Sequence, residues 1–194
     1  SSRRRHTKFR NVTGVQTCAL PIFLAWTNLK SLGNLTHIGG NADFELSKLK
    51  SLGNLTTVGG NFLAYSTKKL KSLGNLTTVG GILAIQESNI KSLGNLTEVG
   101  GDAELYLTKI ESLNNLTSVG GYLTLYSARY LKNLGNLTSV GGYLELGMTN
   151  IESFGNLKKV GGDLMLRDSE ILSHYKSPRK IRSIIDVGGK IKIR

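Results

Sequence analysis

The chain is poor in the residues that staple, kink or anchor a protein: among 194 residues it has one Cys, two Pro, two Met and one Trp. A single Cys18 cannot close an internal disulfide, and no Cys/His spacing of the zinc type is present. No run of 18 or more apolar residues occurs, which argues against a membrane-spanning helix. There is no nucleophile elbow and no phosphate-binding glycine loop. His37 and His174 have no Ser or Asp partner at motif spacing, so the sequence supports neither catalysis nor a cofactor. Punctuation comes from glycine, of which there are 24.

Acidic residues are also scarce, 13 against 25 Lys and Arg, for a net charge of +12. Such a charge would ordinarily suit a polyanionic partner. Its distribution weakens that reading. Residues 1–28 hold five bases and no acid, residues 172–194 hold seven bases and one acid, and residues 29–171 hold thirteen bases and twelve acids. The C-terminal group, Lys176, Arg179, Lys180, Arg182, Lys190, Lys192 and Arg194, could meet phosphates. It lacks interleaved aromatics and a helix long enough to read a groove, which argues against nucleic acid as the partner.

Residues 12–22, VTGVQTCALPI, resemble the conceptual translation of a common short-read sequencing adapter. Residues 2–7, SRRRHT, resemble the upstream part of the same oligonucleotide, with residues 9–11 where a variable index would lie. Lys8 departs from it, where the adapter would give Arg. The resemblance implies that residues 1–22 stand outside the fold as an assembly artefact of a metagenomic kind; the alternative is a disordered basic tail. It also implies a fragment whose true N-terminus is missing, which leaves the localisation open.

Ten residues, SLGNLTTVGG, first complete at residues 51–60, return along most of the rest. Units begin at Leu29, Leu49, Leu70, Ile90, Ile110, Leu131 and Ile151, at spacings of 20 or 21 residues. Regular self-similarity of this period marks a solenoid. Within the unit from Ile90, apolar residues fall three apart (Ile90, Leu93, Leu96, Val99) and then two apart (Ala103, Leu105, Leu107). Spacing of two predicts a brief strand with one buried face, and spacing of three a 3₁₀ turn or a tightly cornered extended segment. Gly-Asn pairs, as at Gly53-Asn54, suit a corner with positive φ, and Asn114 replaces the Gly in one coil with the residue next most tolerant of that conformation. Gly-Gly pairs, from Gly39-Gly40 to Gly188-Gly189, suit a bend where backbones approach too closely for side chains. The fold class predicted is an all-β repeat, a right-handed parallel β-solenoid.

The pattern LxLxxTxIxSLxNLxxV resembles leucine-rich repeats, with Thr108 or Thr149 where that family usually has Asn. The NLTxVGGxLxL arrangement is closer still to the receptor L-domain version. The resemblance covers residues 23–171 and implies a recognition scaffold whose ligand is chosen at variable positions. After Ile171 the Gly-Gly spacing stretches to 27 residues. Ser177 as N-cap, Pro178 at the first helical position and Ile181, Ile184 and Ile185 predict one short helix near residues 178–185. Ile191 and Ile193 then predict a last strand in a truncated coil at residues 172–194, whose uncapped end would favour self-association.

Counted from the second Gly of each pair, positions 2 and 4 are expected to point inward and positions 1, 3 and 5 outward. The outward columns collect Tyr65, Tyr106, Tyr122, Tyr126 and Tyr143, with Asp102, Glu104, Thr124 and Glu145 between them. Tyrosine on a rigid exposed sheet offers contact area at low entropy cost, so these nine residues form the candidate face for a protein or glycan. Against this stands a purely structural spacer, since aromatics also favour strands and stack between coils. Two remoter classes remain: a polysaccharide-active β-helix using Glu104 and Glu145, about 9–10 Å apart by strand spacing, and a nucleic-acid binder. Asn-Leu-Thr recurs six times, from Asn34 to Asn136, and is read as turn chemistry rather than glycosylation.

Overall fold

A few alternating residues between glycine corners give strands of only two residues, which cannot stand alone and must pair with the next coil. The computed structural model describes residues 16–193 in this way. In each coil one strand ends on the repeat's Val, as at Thr57–Val58, Thr78–Val79 and Glu98–Val99. A second follows the Gly-Gly pair, as at Phe62–Leu63, Leu83–Ala84 and Ala103–Glu104. Successive coils pair in parallel. The first set forms a nine-stranded sheet from Gln16–Cys18 to Asp186–Val187, and the second a nine-stranded sheet from Ile22–Phe23 to Ile191–Lys192. A third side is extended but carries only isolated parallel bridges, such as Ser72 with Ser92 and Ser112 with Asn133.

Of the two readings of the apolar spacing of three, the structure takes the cornered extended segment and not the 3₁₀ turn, and it pairs that segment into a second sheet. From Leu55 to Val58 the burial runs in, out, out, in, because Leu55 leaves the Gly-Asn corner before the strand proper begins. Among the described residues the one 3₁₀ helix is Glu170–Ser173, in the insertion. The Val column at residues 58, 79, 99, 119, 140 and 160 and the inward positions Phe62, Ala64, Leu123, Leu125, Leu144 and Leu146 are buried in one continuous core.

Each letter of the repeat has a local task. Ser51 Oγ accepts the Gly53 N–H at 2.9 Å, and the same bond recurs from Ser31 to Ser153. Gly33, Gly53, Gly74, Gly94, Gly135 and Gly155 have φ between +56° and +62°, and Asn114 has +52°, as the Gly-Asn reading requires. The Thr of Asn-Leu-Thr ties coil to coil: the Thr77, Thr97 and Thr117 hydroxyls donate to the Thr56, Thr77 and Thr97 carbonyls at 2.9–3.0 Å. The Gly-Gly pairs serve close approach: a Cβ on Gly101 would lie 2.9 Å from the Gly81 carbonyl carbon. A third corner follows the second sheet and has no glycine at its positive-φ position. Trp26, Leu46, Ser66, Glu87, Leu107, Ser127, Met148 and Asp168 all have φ of +50° to +60° there.

At the C-terminal end a helix runs over Pro178–Arg182, with Ser177 as N-cap accepting the Lys180 N–H. Ile181 and Ile185 are buried, while Ile184, past the end of this five-residue helix, is exposed. Tyr175 packs on Phe154 with ring centres 5.3 Å apart. At the other end Thr17 and Cys18 pair with His37 and Ile38, and Ile22 enters the core. Residues 16–22 thus continue the stack, beyond the boundary at residue 23 that the adapter resemblance suggested. The remaining adapter-like residues, 1–15, and Arg194 lie outside the described residues. Among the described residues no helix is long and apolar enough to cross a membrane.

Candidate functional site

The parallel register of the second sheet fixes which outward residues meet. Glu104 pairs with Thr124 and Thr124 with Glu145, which makes one row across three coils. Their inward neighbours Ala103, Leu123 and Leu144 are fully buried, so the row must face outward. Tyr122 and Tyr143 stand on one side of it, just after Gly-Gly. Tyr106 and Tyr126 stand on the other, just before the positive-φ residues Leu107 and Ser127. The result is a shallow open groove of about 380 Å³ lined by Glu104, Tyr106, Tyr122, Thr124, Tyr126, Tyr143 and Glu145.

Inside it the Tyr122 hydroxyl donates to Glu104 Oε1 at 2.6 Å and the Thr124 hydroxyl to Glu145 Oε2 at 3.3 Å. The Tyr122 and Tyr143 rings stack at 4.7 Å, 4° from parallel. This distance matches the separation of adjacent strands, so the ring faces look along the solenoid axis and their edges point outward. The bond to Glu104, then burial and the nearby carboxylates, pushes the Tyr122 phenol well above its ordinary pKa. Burial and then Glu145 raise Tyr143 as well. Both phenols are neutral donors at physiological pH, and the charge in the groove belongs to Glu104 and Glu145. Outward positions of this sheet from Asn41 to Gly147 include Asp43, Glu45, Asp102, Glu104 and Glu145 and no Lys or Arg.

Seven of the nine residues singled out from the sequence line the groove. Tyr65 and Asp102 do not. Tyr65 lies two coils away from Tyr106, and its hydrogen bond to Glu45 pushes its phenol up to about 12. Asp102 Oδ1 accepts the Tyr122 N–H at 2.9 Å, a capping role repeated when Asn61 Oδ1 accepts the Ile82 N–H and Asp163 Oδ1 the Lys190 N–H. Thr124, expected to face outward, is buried at 8 % exposure because the taller flanking residues cover it. Gly147 was not visible as a site residue. It occupies position 5 of its coil, and a Cβ there would lie 3.1 Å from Tyr126 Cδ2, so the missing side chain is the space into which the Tyr126 ring leans. A glycine at a column position held in neighbouring coils by Glu45, Tyr65, Gln86, Tyr106, Tyr126 and Arg167 was the available signal.

Of the histidines, His37 Nδ1 pairs with the Thr57 hydroxyl and His174 is exposed. Among the described residues no three His, Cys, Asp or Glu side chains converge as metal ligands. Compared with protein-family models, with curated proteins and with solved structures, the chain matches none.

Proposed function

We propose that the chain is a non-enzymatic recognition scaffold that presents the tyrosine groove of the second sheet to a protein or glycan partner. The observation that carries the reading is that seven outward side chains from three consecutive coils, at positions where the repeats differ, line one groove of about 380 Å³. The resemblance to leucine-rich repeats and receptor L-domains points the same way. Two carboxylates, a hydroxyl and four phenols offer both acceptors and neutral donors on a rigid surface, which suits hydroxyl- or amide-bearing ligands. Glu104 accepts from Tyr122 and Glu145 from Thr124, so both carboxylates are engaged as acceptors, and no turnover is expected. The test is the triple variant Tyr106→Ser, Tyr126→Ser, Tyr143→Ser against the native chain on glycan and protein arrays. Loss of a binding partner by the triple variant supports the groove, and an unchanged binding profile removes it.

A structural-spacer reading has one observation in its favour. The Tyr122–Tyr143 stack joins adjacent coils, so these rings serve cohesion whether or not a ligand comes. On that reading the native chain binds nothing on either array, and the triple variant differs from it in stability alone.

A further inference from the structure

The near balance of thirteen bases and twelve acids in residues 29–171 conceals a segregation. On the third side of the coil, between the positive-φ corner that follows the second sheet and the Gly-Asn corner, side chains alternate inward and outward. Ser47, Leu49 and Leu52 are buried while Lys48 and Lys50 are exposed. Repeating this over five coils brings Lys30, Lys48, Lys50, Lys68, Lys69, Lys71, Lys91 and Lys109 to one side, and all eight are exposed. The stretches 28–31, 47–52, 67–73 and 88–93 that build its first four coils include no Asp or Glu, and in the fifth, 108–113, Glu111 takes the position that Lys91 holds in the coil before. The backbones are in register: the Lys50 N–H donates to the Lys30 carbonyl and the Lys91 N–H to the Lys71 carbonyl, at 2.8 and 2.9 Å. Lys30 with Lys50, and Lys71 with Lys91, therefore stand one coil, about 4.8 Å, apart, and the two pairs follow one another along the same side, with no backbone bridge between Ser51 and Ser72. Few partners neutralise it. Lys68 and Lys71 reach backbone carbonyls, and Lys91 meets Glu111 at 4.0 Å.

We infer that this lysine face is a second binding surface, separate from the tyrosine groove, for a linear polysaccharide that carries a carboxylate on each sugar and lies along the solenoid axis. Exposed lysines at the same position of four successive coils fit a polymer with one charge per ring, because a single pyranose is about as long as the coil spacing. The face is all Lys and no Arg. Compact, freely rotating point charges suit single carboxylates along a flexible chain and forgo the planar fork that selects phosphodiesters bidentately. No aromatic residue lies among these stretches, so there is nothing on which nucleobases could stack. Attraction to such a polymer is driven by counterion release and fades with salt.

The experiment uses the full chain with polygalacturonate as probe, and with dextran and oligothymidylate as comparators. Binding is measured by calorimetry between about 50 and 200 mM salt. The native chain is expected to bind polygalacturonate and not dextran, with affinity falling as salt rises. The variant Lys50→Glu, Lys71→Glu, Lys91→Glu, at exposed positions, is expected to keep its circular dichroism and to lose affinity at least about tenfold with a flatter salt dependence. Should charge reversal disturb folding, Lys→Gln at the same positions gives the same comparison. The triple tyrosine variant is expected to bind the polymer as the native chain does, which keeps this surface distinguishable from the groove. Absence of polygalacturonate binding overturns the inference. So does undiminished binding by the lysine variants, which would assign the interaction to the basic residues of 1–10 and 172–194. Tighter, lysine-dependent binding of oligothymidylate also overturns it, in favour of nucleic acid.

Discussion

Tyr122 and Tyr143 stack 4.7 Å apart, and the same Tyr122 donates its phenol proton to Glu104, so one side chain is held by the coil above and the coil below. That double attachment makes the groove part of the cohesion of the stack. The neutral phenols of Tyr122 and Tyr143 are favoured by this environment, and that of Tyr65 by its own bond to Glu45 outside the groove.

The pH dependence follows from the sign of these shifts. A phenol whose folded pKa is raised contributes stability in full below its unfolded pKa of 10.0, and that contribution is lost as pH rises through the folded value. Unfolding by urea is therefore expected to become easier between pH 10 and about 12, the window set by Tyr65. Absorbance titration should resolve late-ionising tyrosines, and Glu104→Gln should move one of them, Tyr122, toward the ordinary value. An unmoved titration curve in that variant would contradict the Tyr122–Glu104 bond.

Gly147→Ala tests the space beside Tyr126. The backbone there has ordinary φ, so the cost falls on the ring 3.1 Å away and on the Arg167 carbonyl at 3.2 Å. Stability is expected to drop by about 1 kcal/mol, while the tyrosine signal in near-ultraviolet circular dichroism changes as Tyr126 is displaced. A change in melting temperature with no change in that signal would assign Gly147 to packing alone.

The third corner, with no glycine at its positive-φ position, predicts an unusual gain. Leu107 is exposed and holds φ +55°, a conformation that costs an L-residue about 1–2 kcal/mol. Leu107→Gly is expected to raise stability by up to about 1 kcal/mol after the entropy of the unfolded glycine is subtracted. Gly101→Ala is the counterpart, with an expected loss of about 3 kcal/mol or more, since its Cβ would meet Gly81 backbone. Equilibrium unfolding in urea separates the two, and a neutral Gly101→Ala would refute the close-approach role.

Thr97→Val removes one rung of the hydroxyl ladder without changing volume greatly. The Thr77 carbonyl keeps its bond from the Thr97 N–H at 2.8 Å, so the expected cost is only about 0.5–1 kcal/mol. Two such substitutions in adjacent coils, read in urea melts, should add to more than their sum if the ladder is cooperative.

Much of the architecture was legible because short-range stereochemistry dictates it. The Gly-Asn pairs announced their positive φ, Asn114 included, and the Gly-Gly pairs their crowding. The run Ser177-Pro178 announced the helix start. The strand ending on each repeat's Val stood only as one of two alternatives, an extended segment beside a 3₁₀ turn, because a two-residue strand is too short for alternation to appear and is defined by the coil it pairs with. The third corner was missed for a similar reason: nothing in Leu107, Glu87 or Met148 prefers a left-handed backbone, and stacking imposes it. Tyr106, Tyr126 and Tyr143 were visible as outward residues. That Gly147 makes room for one of them, and that Asp102 caps the next strand, depends on which coil lies above which.

The amino-acid sequence by itself determined the period, the inward and outward assignment of each residue and the parallel stack, since these follow from side-chain alternation and backbone preferences within one coil. The tertiary structure alone decided how the surface is divided. Residues twenty positions apart become neighbours in the stack, so a body of nearly zero net charge resolves into an acidic, tyrosine-walled groove on one side and a lysine-rich face, from Lys30 to Lys109, on another.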